Sequence, residues 1–173
     1  MNINRDDFYI TLFSDASNDI YTLNSQTSFT NRLALPVDLS SSSDCLVRLA
    51  EISYKPPERM VVGGALVATI GEENVYVYCD LIEPQLVGSE LRRVLRTIIA
   101  PSQAGHNTFP NIYYLPVRKR LLTFVHIELE LGNDSREIVF LDDVTPTPTK
   151  VVLHFRRTKW EMLPGGSNYV PRF

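Results

Sequence analysis

Cysteine is scarce in this chain, which has only Cys45 and Cys79 among its 173 residues. The two cysteines are 34 positions apart and belong to no C-x-x-C motif and no Cys/His quartet. Neither a zinc ribbon nor a disulfide framework is therefore indicated. We expect both cysteines to be small, buried, apolar residues.

The chain also lacks long apolar runs, and none of its runs is long enough to cross a bilayer. Residues 1–7 contain no apolar stretch behind a basic one and no small-residue cleavage site, so no secretory signal is predicted. These absences lead us to expect a protein that is made in the cytosol and has no membrane span.

Apolar and charged residues are both present in ordinary amounts. Hydrophobic residues make up 44% of the chain and charged residues 21%, which argues against intrinsic disorder and against a collagen-like or coiled-coil rod. A chain of 19.7 kDa has room for one compact domain but not for two large ones. We predict a single domain over residues 1–157, followed by a C-terminal arm over residues 158–173.

Alternation of apolar and polar residues with a period of two predicts strands along most of the chain. The predicted strands cover residues 8–13, 27–35, 45–54, 75–81, 112–117, 121–131, 137–141 and 150–157, with a bent strand at 61–70. We expect Pro36 to end the second strand and a bulge to interrupt the third.

Three segments are less regular. Residues 91–99 fit either a strand or one amphipathic helix, because Leu91, Leu95 and Ile98 recur at helical spacing. Residues 100–110 are predicted as a loop. The pattern as a whole predicts an all-β fold, an antiparallel β-sandwich or barrel, and a single jelly roll of about eight strands is one of the few such architectures of this size.

Charge is distributed unevenly along the chain. Residues 1–91 carry 5 basic and 13 acidic side chains, a net −8, whereas residues 92–173 carry 12 basic and 7 acidic, a net +5. The basic residues of the second half form three groups. These groups are Arg92, Arg93 and Arg96; Arg118, Lys119 and Arg120; and Arg156, Arg157 and Lys159. If they converged they could bind phosphates, but few aromatic residues accompany them, and we favour protein–protein contacts over nucleic-acid contact.

Few residues are suited to catalysis. His126, Glu128 and Glu130 alternate on one predicted strand and could share a metal, but His106 and His154 occur in unrelated contexts. No G-x-S-x-G motif and no phosphate-binding glycine loop is present. We expect no catalytic residue, no cofactor and no metal, and we interpret the His126 face as solvated.

Several segments together resemble the penton, or minor capsid protein, of Maverick/Polinton elements and the related adintoviruses. The segments are residues 8–12 (FYITL) with 14–17 (SDAS), 28–33 (SFTNRL), 47–54 (VRLAEISY), 77–88 (VYCDLIEPQLVG), 91–98, 111–117 (NIYYLPV) and 152–157 (VLHFRR). Residues 77–88 are the most specific, and in order the segments cover most of residues 8–157.

The resemblance implies a single jelly roll without catalytic activity. It also implies homopentamers at the icosahedral vertices of a virion, made in a host cell, beside a double-jelly-roll major capsid protein and with a vertex spike or fibre as a further partner. It favours a strand over residues 91–99. A five-fold ring needs two different, complementary flanks on each subunit, which the −8 and +5 halves could supply. The candidate subunit-interface residues are basic residues of the three groups, together with Trp160 and Phe173 as apolar anchors of the arm. The basic ones are Arg92, Arg93, Arg96, Arg118, Lys119, Arg120, Arg156 and Arg157.

Two other classes remain open from the residues. A receptor- or glycan-binding jelly-roll head, such as a spike or lectin-like module, would be a monomer or trimer with a saturable ligand site. A cupin-like metalloenzyme would hold iron, manganese or zinc through His126 and carboxylates.

Overall fold

The computed structural model describes residues 7–40, 44–54, 60–62, 65–67, 74–99, 105–132, 136–140, 147–162 and 169–172. In these residues the chain forms fifteen β-strands and no helix, and thus no helix in this part of the chain could span a membrane. The strands are β1 (Asp7–Phe13), β2 (Ser28–Asp38), β3 (Asp44–Tyr54), β4 (Met60–Val62), β5 (Ala65–Val67), β6 (Asn74–Cys79), β7 (Gln85–Val87), β8 (Glu90–Arg92), β9 (Val94–Ile99), β10 (Gly105–Thr108), β11 (Leu115–Pro116), β12 (Leu121–Leu131), β13 (Arg136–Phe140), β14 (Lys150–Met162) and β15 (Tyr169–Arg172).

The first of two large antiparallel sheets has the order β1-β14-β3-β10, with β11 paired to β3 and β15 paired to β14. Its strands come from distant parts of the chain. Phe8 of β1, for example, is opposite Phe155 of β14, and their rings stack with centroids 4.8 Å apart.

The second sheet is centred on β12. Ile127 of β12 is paired with Phe29 of β2 and also with Cys79 of β6, which places β2 and β6 on opposite sides of β12. Tyr78 of β6 is in turn paired with β12 and with β9. The order is therefore β2-β12-β6-β9, with β2 and β9 at opposite edges, while β13, β4 and β5 extend from the end of β12.

The two sheets share one hydrophobic core, because alternate side chains of each point toward the other. The fully buried members include Leu12, Phe29, Val47, Leu49, Ile52, Val77, Leu122, Val125, Ile127, Val151, Leu153 and Phe155. The alternating apolar residues of the predicted strands 75–81 and 121–131 are all buried, as is Cys45. These residues are Val75, Val77, Cys79, Leu81, Val125, Ile127, Leu129 and Leu131. The all-β, antiparallel prediction is confirmed.

The expected bulge lies in β3, opposite the point where β14 changes register. Val152 is opposite Glu51, whereas Leu153 is opposite Leu49, and the extra residue is Ala50. The bulge reverses the alternation, so that Leu49 and Ile52 both enter the core. This explains the mixed pattern of the segment.

The prediction that Pro36 ends the second strand is wrong. β2 continues to Asp38, because the register with β12 shifts between Leu122 and Phe124. Val37 is opposite Leu122 and Arg32 is opposite Phe124, so residues 33–36 form a bulge on the edge strand. A proline is tolerated there because no ladder hydrogen bond needs its nitrogen.

Pairing with distant strands determines the structure of the segments whose sequence patterns were ambiguous or misleading. Residues 90–99 form β8 and β9 rather than a helix, with Leu95 and Ile98 buried and Leu91 exposed. The predicted loop 100–110 contains β10, which pairs with β3. The predicted strand 112–117 is reduced to β11 and one bridge from Val117 to Ile82.

The last strand extends beyond its predicted end. β14 runs from Lys150 to Met162, and β15 returns along its final residues, with Trp160 opposite Pro171. Phe173 and residues 163–168 lie outside the described residues, as do Gly63 and Gly64 of the predicted bent strand.

Candidate functional site

A polar and aromatic cluster covers the outer face of the first sheet, centred on His154 of β14. His154 is 5% exposed and stacks on Tyr9 of β1 with ring centroids 4.3 Å apart. Its Nδ1 accepts hydrogen bonds from the Tyr114 hydroxyl at 2.8 Å and from Arg48 Nε at 3.3 Å. Since Nδ1 accepts, the proton of the neutral ring is on Nε2, which faces Asp7 Oδ1 at 3.6 Å.

Two arginines hold this cluster together. Arg48 and Arg156 both lie over the ring of Tyr114, at 5.7 and 5.0 Å from its centroid. Arg156 also donates to Asp7 at 3.1 Å, and this hydrogen bond raises the pKa of Arg156. Burial lowers the pKa of His154, and the nearby cation of Arg48 lowers it further. The cluster therefore contains a neutral imidazole between fixed charges.

The outer face of the second sheet carries a different cluster, around Arg92. Arg92 donates to Glu90 at 2.9 Å, to the Tyr78 hydroxyl at 2.9 Å and to Glu130 at 3.5 Å. The bond to Glu90 and the bond to Tyr78 raise the pKa of Arg92. Because Arg92 belongs to the β7–β8 hairpin, its bonds to Tyr78 of β6 and Glu130 of β12 fasten the hairpin over the sheet.

Beside the hairpin lies a groove of about 490 Å³, lined by Tyr78, Cys79, Asp80, Pro84, Glu90, Leu91, Arg92, Arg93, His126, Glu128 and Glu130. Asp80 pairs with Lys119 and accepts the backbone N–H of His126 at 2.9 Å. The groove thus has charged walls whose charges are largely paired within the chain.

The three predicted basic groups do not converge as groups. Arg92 lies on the outer face of the second sheet, Arg156 on that of the first, and Lys119 beside Asp80. Arg93, Arg118 and Arg120 are exposed, and Arg157 donates to the Asp38 carbonyl at 3.0 Å. Trp160 lies on β14, and the side chains of Trp160 and Lys159 are outside the described part, as is Phe173.

Among the residues of the three basic groups, Arg96 is an exception, because it belongs to β9 of the second sheet but lies near residues of the first sheet. Its guanidinium is 4.3 Å from the ring centroid of Phe109, and it donates to the Asn111 carbonyl at 3.3 Å. Burial and the neighbouring Arg48 lower the pKa of Arg96. Arg96, Arg48 and Arg156 therefore follow one another around the Phe109–Tyr114 segment.

Sequence reasoning missed Arg48, Tyr9, Tyr114 and Asp7, the partners of His154. Arg48 and His154 are 106 positions apart, and nothing local relates them. The only available signal was that Tyr9 and His154 each alternate with apolar residues on a predicted strand and thus share the outer side of a sheet.

The residues weighed for metal binding or nucleophilic chemistry lie apart. His126 contacts Thr30 Oγ1 through Nδ1 at 2.9 Å and Glu128 at 3.9 Å, and the described residues include no group of three or more His, Cys, Asp or Glu placed to hold a metal. The side chain of His106 is outside the described residues. Burial raises the pKa of Cys45 to about 11 and that of Cys79 to about 12, so both thiols stay protonated and are poor nucleophiles.

Comparison with known proteins gives no match: no protein-family model, no curated protein and no solved structure is similar to this chain.

Proposed function

We propose that this chain is the penton, or minor capsid, subunit of a virion: a single jelly roll that forms homopentamers at icosahedral vertices beside a double-jelly-roll major capsid protein. In this proposal the protein has a structural role and carries out no catalysis. The observation that carries the proposal is the order of the strands.

Eight strands make up the two paths β1-β14-β3-β10 and β2-β12-β6-β9. Along the chain they alternate between the sheets as first, second, first, second, second, first, second, first. This alternation supports the proposed jelly roll, because in a jelly roll two Greek keys give each sheet partners from distant parts of the sequence. Viral capsid proteins, lectins and cupins share this architecture, and the resemblance of residues 8–157 to pentons favours the first of these.

The remaining strands extend this framework. β4, β5 and β13 add to one end of the second sheet, and β7 and β8 form a separate hairpin on its outer face. Such additions between framework strands are common sites of specialised contacts, because loops vary while the core is kept.

The experiment is electron microscopy of the purified chain. We expect ring-shaped particles with five-fold symmetry. Particles with another symmetry, or single subunits at every concentration tested, would contradict the proposal.

The groove beside the β7–β8 hairpin favours a second candidate, a receptor- or glycan-binding head. Polar side chains and the Tyr78 ring line a concave surface there, and small ligands commonly bind in concave sites that combine aromatic and polar groups. This candidate requires a monomer or trimer that binds a ligand saturably. Loss of that binding on Tyr78→Ala, with the wild type as control, would support it over the penton.

A further inference from the structure

The edge of the second sheet at β2 carries exposed apolar side chains. The loop 14–27 runs along this edge, where Asn24 accepts the Thr30 N–H at 2.8 Å and donates to the Thr30 carbonyl at 3.0 Å. Ser17 Oγ accepts the Arg32 N–H at 3.1 Å. We call residues 14–38 the β2 flank.

Three large apolar residues of the β2 flank are exposed to solvent, Ile20, Leu23 and Leu35, with exposed fractions of 47%, 94% and 56%. The edge hydrogen bonds at Thr30 and Arg32 are already taken by the loop, so another chain cannot add there as a strand. Contact with a partner at this flank must be made by side chains.

The opposite edge of the same sheet also presents apolar residues. The segment 109–117 covers the side of the sandwich there and is fastened to β9 through Arg96 and to β3 through Leu115. We call residues 93–99 and 109–117 the β9 flank. Its exposed apolar members are Ile99, Ile112 and Tyr113, with exposed fractions between 54% and 69%.

The two flanks have opposite charge. The loop 14–27 contains Asp15 and Asp19, both exposed, and no basic residue, while β2 contributes one Arg and one Asp, so the β2 flank has a net charge of −2. The β9 flank has two arginines, Arg93 and Arg96, and no acidic residue, a net +2. Arg96 is half-buried over the ring of Phe109, and Arg93 is exposed.

We propose that the β2 flank of one copy of this chain binds the β9 flank of the next. This inference rests on the proposed function, because it assigns the subunit interface of the ring. A ring closes only through a heterologous contact, in which two different surfaces of each subunit meet. Two apolar flanks of opposite charge at opposite edges of one sheet meet that requirement, whereas a self-complementary patch would give a two-fold dimer.

The test uses two variants that place like charge at the contact. The β9-flank variant is Ile99→Asp with Ile112→Asp, and the β2-flank variant is Leu23→Arg with Leu35→Arg. All four positions are exposed, so we expect little change in stability. Leu86→Asp is the control, because Leu86 is an exposed apolar residue on β7 and belongs to neither flank. Light scattering measures the molar mass of each protein alone and of the two variants mixed.

We expect five-fold mass for the wild type and the control, and single-subunit mass for each flank variant alone. The mixture should give a mass of at least twice 19.7 kDa, because the β2 flank intact in one variant meets the β9 flank intact in the other, and the two altered flanks carry opposite charges. A flank variant that remains pentameric, or a mixture that stays monomeric, would overturn the assignment of the flanks. Should circular dichroism show that a variant is unfolded, Tyr113→Asp or Ile20→Arg replaces it.

Failure of the proposed function gives a different result. A wild type that forms a closed ring of another size, together with association of the two variants in the mixture, would contradict the pentamer and support the flank contact. A monomeric wild type would overturn both.

Discussion

At the scale of single residues, two asparagines with the same kind of hydrogen bonds differ in how deeply they are buried. Asn31 and Asn24 both use their amide to bind a backbone N–H and C=O. Asn31 is 4% exposed and joins the two sheets through Phe13, with bonds of 2.9 and 2.8 Å. Asn24 makes the corresponding bonds to Thr30 in a less buried place at the β2 edge.

We predict that Asn31→Ala lowers the free energy of unfolding by roughly 1–3 kcal/mol, because it leaves backbone groups of Phe13 without a partner away from water. Asn24→Ala is the matched variant and should lower the free energy of unfolding by less, since water can reach the backbone of Thr30. Urea unfolding of both measures the difference. Equal losses would show that burial of the amide is unimportant.

His154 predicts a pH dependence of stability. Burial and Arg48 lower the pKa of His154 below its ordinary 6.5, so the unfolded chain binds a proton that the folded chain does not. As the pH falls through 6.5 the unfolded state is favoured, and this contribution to stability is lost.

We expect the free energy of unfolding to fall more steeply in the wild type than in His154→Asn on going from about pH 7.5 to about pH 5.5. Asparagine does not titrate, and its side-chain oxygen can replace Nδ1 as the acceptor for Tyr114. Urea titrations at both pH values compare the two proteins. Parallel losses in the two proteins would mean that His154 is not held neutral by its surroundings.

At the scale of elements, local pattern predicted the existence of strands better than their ends. The alternation of apolar and polar residues in 121–131 and 75–81 was sufficient to predict these two strands, because each strand has one buried face. Pro36 was expected to end the strand, but the effect of a proline depends on the facing strand. The register shift between Leu122 and Phe124 means that no backbone N–H is needed at this position. β10 was missed because residues 105–108 pair with β3 and carry no strong pattern of their own.

The β7–β8 hairpin gives a test at this scale. Gly88 has φ +62°, and a Cβ placed there would meet nothing within 4 Å. Gly88→Ala should therefore destabilise the hairpin by about 1 kcal/mol through the backbone alone, which raises hydrogen exchange of residues 85–92 roughly five-fold.

Gly88→Asn is the control, because asparagine adopts positive φ more readily than alanine. Its exchange should stay close to that of the wild type, and exchange in β12 should be unchanged in both variants. Equal exchange in the alanine variant and the wild type would show that the turn tolerates any residue.

At the scale of the whole molecule, the sequence predicted an all-β antiparallel sandwich but not which strands are neighbours. Pairings such as Phe8 with Phe155 and Arg48 with His154 join residues more than a hundred positions apart, and no local pattern encodes them. Sequence patterns also did not predict the candidate interface. The predicted basic residues lie on separate faces, and the exposed apolar residues of each flank are brought to one edge only by the order of the strands in the sheet.

The central claim is that the chain forms a closed ring of five through two different flanks. Light scattering of the purified chain over a range of concentrations tests it most directly. We predict one species of five times 19.7 kDa whose mass does not increase with concentration, because a closed ring leaves no flank free. A dimer, or a mass that grows continuously with concentration, would contradict the claim, since the first indicates a two-fold contact and the second an open chain.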